Sequence, residues 1–599
     1  ASDSTPPSNE APTDISLSSV TIDENIPANS VVGTFSTTDP DSGDSFTYSL
    51  VSGLGDNDND LFTIDGETLS LDISPDFETQ DSYSIRVQTE DSGGETFTET
   101  FTVNVNDLNE APEETAFPAV FELSSLDGSN GFTLNGIDED DNSGYSVSSA
   151  GDVNGDGIDD LIIGAPEADA NGSFSGASYV VFGKSGSFDA TLELSNLDGS
   201  NGFTFNGVNE FDRLGFSVSS AGDVNGDGLD DLIIGAKTAI PNGFASGKSY
   251  VVFGKNGGFD ATFNLSNLTF DVSNGFTLNG VNSSDESGSS VSSAGDVDGD
   301  GLDDLIIGAS NASPNGILSG QSYVVFDTTF NLSNLNGSNG FTINGNSGDL
   351  SGRSVSSAGD VNGDGLDDII VGSPGAEESY VVLGKSGRFD STLDISDLNG
   401  SNGFTINGNS GSSGHSVSSA GDVNGDGLDD LIIGAPSAIP GGKSYVVFGN
   451  SGGFNSTVEL SNLNGSNGFT LNGVSSGSSG SSVSSAGDVN GDGFDDLIIG
   501  APFADPNGDR SGESYVVFGK SGGFDPFFNL SKSNLDGNNG FTLNGVASGD
   551  RSGWSVSSAG DVNGDGIDDL IIGAYGADPN GNDSGESYVV FGRATNNEN

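Results

Sequence analysis

The chain has 599 residues, with 89 Asp and Glu against 15 Lys and Arg and a formal charge of −74. That charge repels nucleic acid and anionic lipid as direct partners and suits a cation-rich medium such as seawater, brine or extracellular fluid. There is no cysteine to staple the fold, and no apolar run reaches the length of a membrane span. Only a third of the residues are hydrophobic and 94 are glycine, a composition that borders on disorder. The apolar residues are nevertheless gathered into short strands, which predicts a folded chain. With neither a signal peptide nor an initiator Met, it is expected to be a processed form or an excised piece.

Residues 1–9 read as a linker remnant. Residues 10–112 alternate apolar and polar side chains in FTYSL, YSIRVQTED and FTETFTVNV, which predicts a separate unit of β-strands. Acidic and amide side chains recur along it: Glu24, the pair Asp39 and Asp41, Asp76 with Glu78, Asp91, and Asp107, Asn109 and Glu110. Residues 113–116 read as a linker.

From 117 to 593 one pattern is written seven times. The first copy, SVSSAGDVNGDGIDDLIIGA, sets Asp152, Asn154, Asp156 and Asp160 at positions 1, 3, 5 and 9 of a turn, with Gly157 at position 6. A hard cation needs oxygen donors at that spacing. The backbone carbonyl of Ile158 at position 7 adds one more, and glycine permits the sharp bend. The other loops are Asp223, Asn225, Asp227, Leu229, Asp231; Asp296, Asp298, Asp300, Leu302, Asp304; and Asp360, Asn362, Asp364, Leu366, Asp368. They continue with Asp422, Asn424, Asp426, Leu428, Asp430; Asp488, Asn490, Asp492, Phe494, Asp496; and Asp561, Asn563, Asp565, Ile567, Asp569. Without a metal, three or four carboxylates would crowd each turn and repel one another. Position 12 lacks the bidentate Glu of a helix–loop–helix sensor, and the flanks read as strands. About seven Ca²⁺ ions are expected here.

Each unit runs SVSSAG, the acidic turn, DLIIGA, a polar loop, SYVVFG, a linker and GFTLNG. Four strands per unit follow, with LSNLDGSNG offering at most one helical turn. Repeats of this kind predict a seven-bladed β-propeller over 117–593, with the small-residue strand innermost and 594–599 as a tail. The segment Phe121 to Gly136 writes an outer strand before the first loop, and the last unit ends without one. Pairing the two would close the ring.

These units resemble the FG-GAP repeats of integrin alpha-chain propellers and their bacterial relatives. The "FG" is weakened to Ser143-Gly144 or Leu214-Gly215. The "GAP" survives at Gly164-Ala165-Pro166, Gly434-Ala435-Pro436 and Gly500-Ala501-Pro502 and decays to Gly235-Ala236-Lys237. The resemblance implies calcium in three or four blades, whereas here all seven qualify. Residues 10–112 resemble a cadherin-like repeat, which implies a β-sandwich whose calcium lies between consecutive repeats. Asn9-Glu10-Ala11-Pro12 looks like the tail of a preceding linker, so the resemblance implies an array of repeats upstream. Whether this unit's half-sites hold calcium stays open.

One position varies among the repeats: Tyr145, Phe216, Ser289, Arg353, His415, Ser481 and Trp554, each just before the inner strand. In a closed ring Trp554, Tyr145 and Phe216 are neighbours at the channel mouth, with Arg353 and His415 across the axis. The resemblance implies an aromatic cup that receives a basic side chain from a partner subunit. The alternative is a plug in a water-filled channel. Catalysis has little to stand on, because there is no Cys and one His. The Gly-Lys-Ser triplets lack the upstream glycine of a phosphate loop.

The expected function is therefore a non-enzymatic, calcium-binding extracellular adhesion or recognition module, a propeller head on a cadherin-like stalk. Its partners would be a protein or glycan on a cell or matrix surface, or copies of itself. The alternative is a structural subunit of a surface layer, sheath or filament.

Overall fold

The computed structural model describes residues 9–24, 26–75, 77, 80, 82–106, 117–268, 273–326, 331–408, 411–474 and 477–594. The chain divides into two compact units, Ala1–Glu113 and Glu114–Asn599. In the first, two four-stranded sheets form a sandwich. One holds Asp14–Leu17, Ser30–Thr38, Thr68–Leu71 and Phe62–Asp65; the other holds Thr21–Asp23, Thr96–Asn106, Ser82–Asp91 and Phe46–Leu50. Alternation along Ser82–Asp91 turns Tyr83, Ile85 and Val87 inward, where they share a core with Phe35, Leu69 and Leu71 of the opposite sheet.

The second unit is a ring of seven sheets. In blade 1 the inner strand Ser146–Gly151 pairs antiparallel with Asp160–Ala165, then comes Ala177–Val181, then Gly202–Asn206. The inner strands are built of small residues because they touch one another around the axis. The Val218 N–H donates to Ser146 Oγ of the preceding blade at 3.1 Å, and the Val147 N–H donates to Ser555 Oγ of blade 7 at 3.1 Å. Every residue of the DLIIGA strands is buried, because a neighbouring blade covers each face. Ile162 packs toward blade 2, whereas Leu161 and Ile163 pack toward blade 7. The hydrophobic cores thus lie in the seams between blades. Across six seams a phenylalanine of the outer strand lies flat on one from the adjoining linker, as Phe132 does on Phe188 with ring centroids 4.4 Å apart. Each such stack adds about 0.5–1.5 kcal/mol to the burial of its rings.

The ring closes on the early segment. Gly131–Asn135 pairs antiparallel with Glu586–Val590 and supplies the fourth strand of blade 7. The seam between blades 7 and 1 has the same make-up as the others, with Phe132, Ile571 and Val589 packed on Val147, Leu161 and Tyr179. The expected four strands per blade need one correction. Among the described residues a short fifth strand runs parallel to the fourth in six blades; in blade 1 it is Thr262–Phe263, contributed by the next unit. In blade 6 it is Val120–Glu122, paired with Gly540–Asn544. Such strands of two to four residues, embedded in linker sequence, are too brief to show an alternating pattern. The turn expected in LSNLDGSNG is a 3-10 turn, at Leu194–Asn196 and its counterparts.

The segment from Phe117 to Asn135 therefore stitches blade 6 to blade 7. Deleting it is expected to bare the outer edges of both sheets and to produce aggregates or a large loss of thermal stability. Analytical ultracentrifugation and a thermal melt of the truncated chain check this; an equally stable monomer would refute the clasp.

Candidate metal centres and the channel mouth

Each acidic turn joins the inner strand to the second strand, and its backbone is wound around its own carboxylates. In the first loop the Asp152 carboxylate accepts the N–H groups of Gly155, Asp156 and Gly157 at 2.7, 3.1 and 2.8 Å. Asp156 accepts the Ile158 N–H at 3.0 Å. Gly157 has φ +86°, which a residue with a Cβ adopts only under strain. Asp160, at position 9, is fully buried and accepts the N–H groups of Val153 and Gly183, tying the turn to the end of the third strand. Burial pushes its pKa up to about 8, with the charges of Asp156 and Asp152 adding to the effect. Asp231 and Asp430 also reach about 8, and Asp304 about 9, with burial again the chief cause. A carboxylate held this way out of water lacks a counter-charge.

The residues fit a divalent cation. In the third loop the carboxylate oxygens of Asp296, Asp298 and Asp304 lie within 4.8 Å of one another, and Asp304 Oδ1 is buried without a hydrogen-bond partner. In the Asn-containing loops the position-3 amide points its nitrogen at the position-9 carboxylate, as Asn154 does toward Asp160 at 3.1 Å. The same amide carries the oxygen that a cation site requires.

Position 8 was not singled out in the sequence and has a different task. The Asp230 carboxylate reaches back to the preceding blade and accepts the backbone N–H of Asp152 at 2.9 Å. The same bond recurs at all seven seams, from Asp303, Asp367, Asp429, Asp495 and Asp568 to Asp159, which accepts from Asp561 and closes the circle. Gly151 is required opposite it, since a Cβ there would meet the Asp230 carboxylate at 2.3 Å. The position-7 side chain also crosses the seam: Leu302 lies against the glycine at position 4 of the previous loop, Gly226.

The other end of the six-residue inner strands is the channel mouth, roughly 20 Å from the turns. Here Tyr145 sits between Phe216 and Trp554, with ring centroids 5.0 and 5.7 Å away. Two residues not anticipated from the sequence complete the cluster. Tyr575 lies 5.6 Å from Tyr145 and 4.8 Å from Trp554, and the Lys237 ammonium stands 3.4 Å from the centroid of Phe216. Both replace the proline of Gly-Ala-Pro, so the decayed triplet was the signal. Arg213 pairs with Glu167 at 3.1 Å, and Lys237 lies 4.0 Å from Glu286. Arg353 is exposed and has no hydrogen bond or ion pair with any described residue. Its charge acts on Tyr145, Lys237 and His415. Ser289 and Ser481 complete the circle, both half-buried.

FG-GAP repeats match residues 143–181, 214–252, 287–325, 351–383, 413–448, 479–517 and 552–590, and a cadherin domain matches residues 18–106. The chain carries seven FG-GAP repeats behind a cadherin domain. Integrin alpha-5 of Xenopus laevis is 32% identical over 232 residues, which cover 37% of this chain and 19% of that protein. Integrin alpha-PS2 of Drosophila melanogaster is 29% identical over 231 residues, 37% of this chain and 15% of that protein. Integrin alpha-IIb of Mus musculus is 31% identical over 173 residues, 27% and 15% respectively. The chain thus spans about a fifth or less of the length of these relatives. The two domain types are those of extracellular adhesion and recognition modules, and both families are generally calcium-binding.

In the cadherin domain, Asp39 and Asp41 are joined by Asp44, which the sequence reading left out; their carboxylate oxygens lie within 4.8 Å of one another. The Glu10 N–H donates to Asp41 at 2.7 Å, and the Asn9 amide donates to both oxygens of Asp91. Glu24 is buried and accepts the Phe77 N–H. Asp76, Glu78, Asp107, Asn109 and Glu110 lie outside the described residues.

Asp230→Ala is expected to destabilise the FG-GAP propeller by about 1.5–3 kcal/mol, the range for a hydrogen bond to a charged group. Asp230→Asn keeps an acceptor and is expected to lose much less. Thermal melts of both variants in calcium check this, and an unchanged Ala variant would show that the seam bond carries no stability.

His415 offers a second check. Burial, aided by the Arg353 charge, pushes its pKa down to about 4. A folded pKa below the unfolded one favours the neutral ring, so its contribution is intact above pH 6.5 and is lost as pH falls toward 4. As the chain's single histidine, it should give one imidazole NMR signal titrating near pH 4. A midpoint at or above 6.5 would contradict the buried placement.

Proposed function

We propose that the chain is a non-enzymatic, calcium-binding extracellular adhesion module, with the FG-GAP propeller as a binding head and the cadherin domain as part of a stalk. The observation that carries this reading is the sevenfold turn in which a fully buried aspartate faces two or three further carboxylates. In each loop the ligands would be the side chains at positions 1, 3, 5 and 9 with the carbonyl at position 7. Bound calcium would supply the missing counter-charge. The residues themselves do the positioning: Asp152 orders its turn through three N–H groups, and Asp160 anchors the turn to the third strand.

Support for recognition comes from the mouth, where seven otherwise uniform repeats diverge into aromatic and basic side chains. The matched relatives are integrins. Among the described residues no helix is long and apolar enough to cross a membrane. A single half-buried histidine and the absence of cysteine leave little for acid–base or nucleophilic chemistry.

A ligand held only by the folded state at 100 times its dissociation constant adds about 2.7 kcal/mol per site. Chelation should therefore lower the propeller's melting temperature steeply, and Asp304→Ala should reduce the calcium content by one ion. An unchanged melt after chelation would remove the calcium reading. Adhesion of the calcium-loaded chain to cell or matrix surfaces tests the recognition role, whereas calcium-driven polymerisation without such adhesion would favour a filament or surface-layer subunit.

A further inference from the structure

Basic residues are scarce in this chain, yet five of the 15 lie in mouth-side loops, namely Arg213, Lys237, Arg353, Arg510 and Arg551, and Lys248 and Lys443 stand at the mouth-side ends of third strands. Each of the five follows a second strand, precedes an inner strand or lies in the loop after a second strand. Lys237 already occupies the face of Phe216, and Arg551 lies over Tyr575 with 5.0 Å between its guanidinium carbon and the ring centroid. Two of the aromatic rings, Phe216 and Tyr575, are thus already faced by cations of the chain itself. A basic side chain arriving from a partner would meet Lys237 and Arg353 and be repelled. An acidic one would meet an exposed guanidinium that has no ion pair with any described residue. Glu167 and Glu286 offset two of the basic groups, Arg213 and Lys237, and leave Arg353 without a counter-charge.

Beside this cationic centre lies an apolar arc. Eight large apolar side chains of the propeller are exposed among the described residues, and five belong to the mouth-side loops of blades 2 and 3. Phe244 is 73% exposed and Ile317 79%, with Phe211, Ile240 and Leu318 between 42% and 59%. The corresponding loop tips of blades 6 and 7 carry Asp509-Arg510 and Asn582-Asp583 instead. Ile439, 87% exposed, stands alone in the corresponding loop of blade 5, whereas the five side chains of blades 2 and 3 are gathered in one sector, and such a gathering marks a protein contact. Three of the five, Ile240, Ile317 and Leu318, are aliphatic and lack the flat ring on which a sugar stacks.

We propose that the channel mouth receives an Asp or Glu side chain of a partner protein, with Arg353 and Lys237 as its counter-charges and apolar neighbours of that acid resting on the arc. This rests on the reading of the propeller as a recognition head, and it names the chemistry of what the head takes.

The test pans a displayed library of random linear peptides against the full chain in calcium. Recovered peptides should carry Asp or Glu next to apolar residues and lose binding when that acid is changed to its amide. Arg353→Gln and Lys237→Met should each weaken the best peptide about tenfold, and the Arg353 effect should shrink as salt rises. Phe244→Ser with Ile317→Ser should weaken it at every salt concentration. Lys237→Met keeps the chain's apolar stem over Phe216, and Arg353 is exposed, so calcium-dependent melting of the variants should match the parent. Recovery of Lys- or Arg-rich peptides, or equal binding of acidic peptides by all variants, would overturn the proposal. So would failure to recover any peptide while polygalacturonate binds at the mouth. A parent chain that adheres to cell or matrix surfaces, with variants that adhere equally, would remove this proposal alone; a parent that adheres to nothing would remove the recognition reading beneath it.

Discussion

A carboxylate kept out of water at the start of every second strand is the constraint on which this structure depends. Asp160 and its six counterparts cannot carry their charge cheaply, because like charges in the same turn and the surrounding burial both oppose ionisation. The turn answers by satisfying each oxygen it can reach with backbone N–H groups, which leaves a cation as the natural completion. The same aspartate pins the third strand, so the site and the sheet are one construction. With calcium in the turns, as proposed, stability and metal content would be inseparable in this propeller, and no disulfide joins its blades.

The seams repeat this logic between blades. Position 8 holds the start of the preceding turn, position 7 fills the space left by that turn's glycine, and an inner-strand serine receives a neighbour's N–H. Residues of one turn thus divide between two blades. Uniformity at the turns is what a closed ring of identical joints demands. The mouth faces no such demand, because side chains there project beyond the inner strands, and it is there that the repeats diverge.

Much of this was legible in the amino-acid order. Seven turns, the small-residue inner strand and the spare outer strand at the start of the array all follow from spacing and residue size. The juxtaposition of Tyr145, Phe216 and Trp554 follows from closing the ring. What escaped reading needed contacts between units. Asp230 looks like one half of an Asp-Asp pair, and only the approach of the next blade separates a seam-bonding residue from a buried one. Lys237 and Tyr575 come directly after a buried strand, in a triplet whose proline is often lost, and that loss alone does not show that they lean into the mouth. The fifth strands are parallel partners drawn from the following unit, a pairing that no pattern within a single repeat encodes. In the N-terminal unit alternation gave the strands, whereas Asp44 joined Asp39 and Asp41 only once the turn had folded.

The stitch made by Phe117 to Asn135 has a mechanical consequence. Tension applied along the chain from its N-terminal side arrives first at Val120–Glu122, aligned beside an outer strand of blade 6, and next at Gly131–Asn135 within blade 7. A pull along a strand's own axis loads its ladder of hydrogen bonds together, whereas a pull across the ladder parts them one at a time. Two adjacent blades, and the stacked Phe117 and Phe541 rings between strand and linker, share such a load before any inner strand feels it. The point where a tether would tear the ring open is thereby also the point at which it is sewn twice.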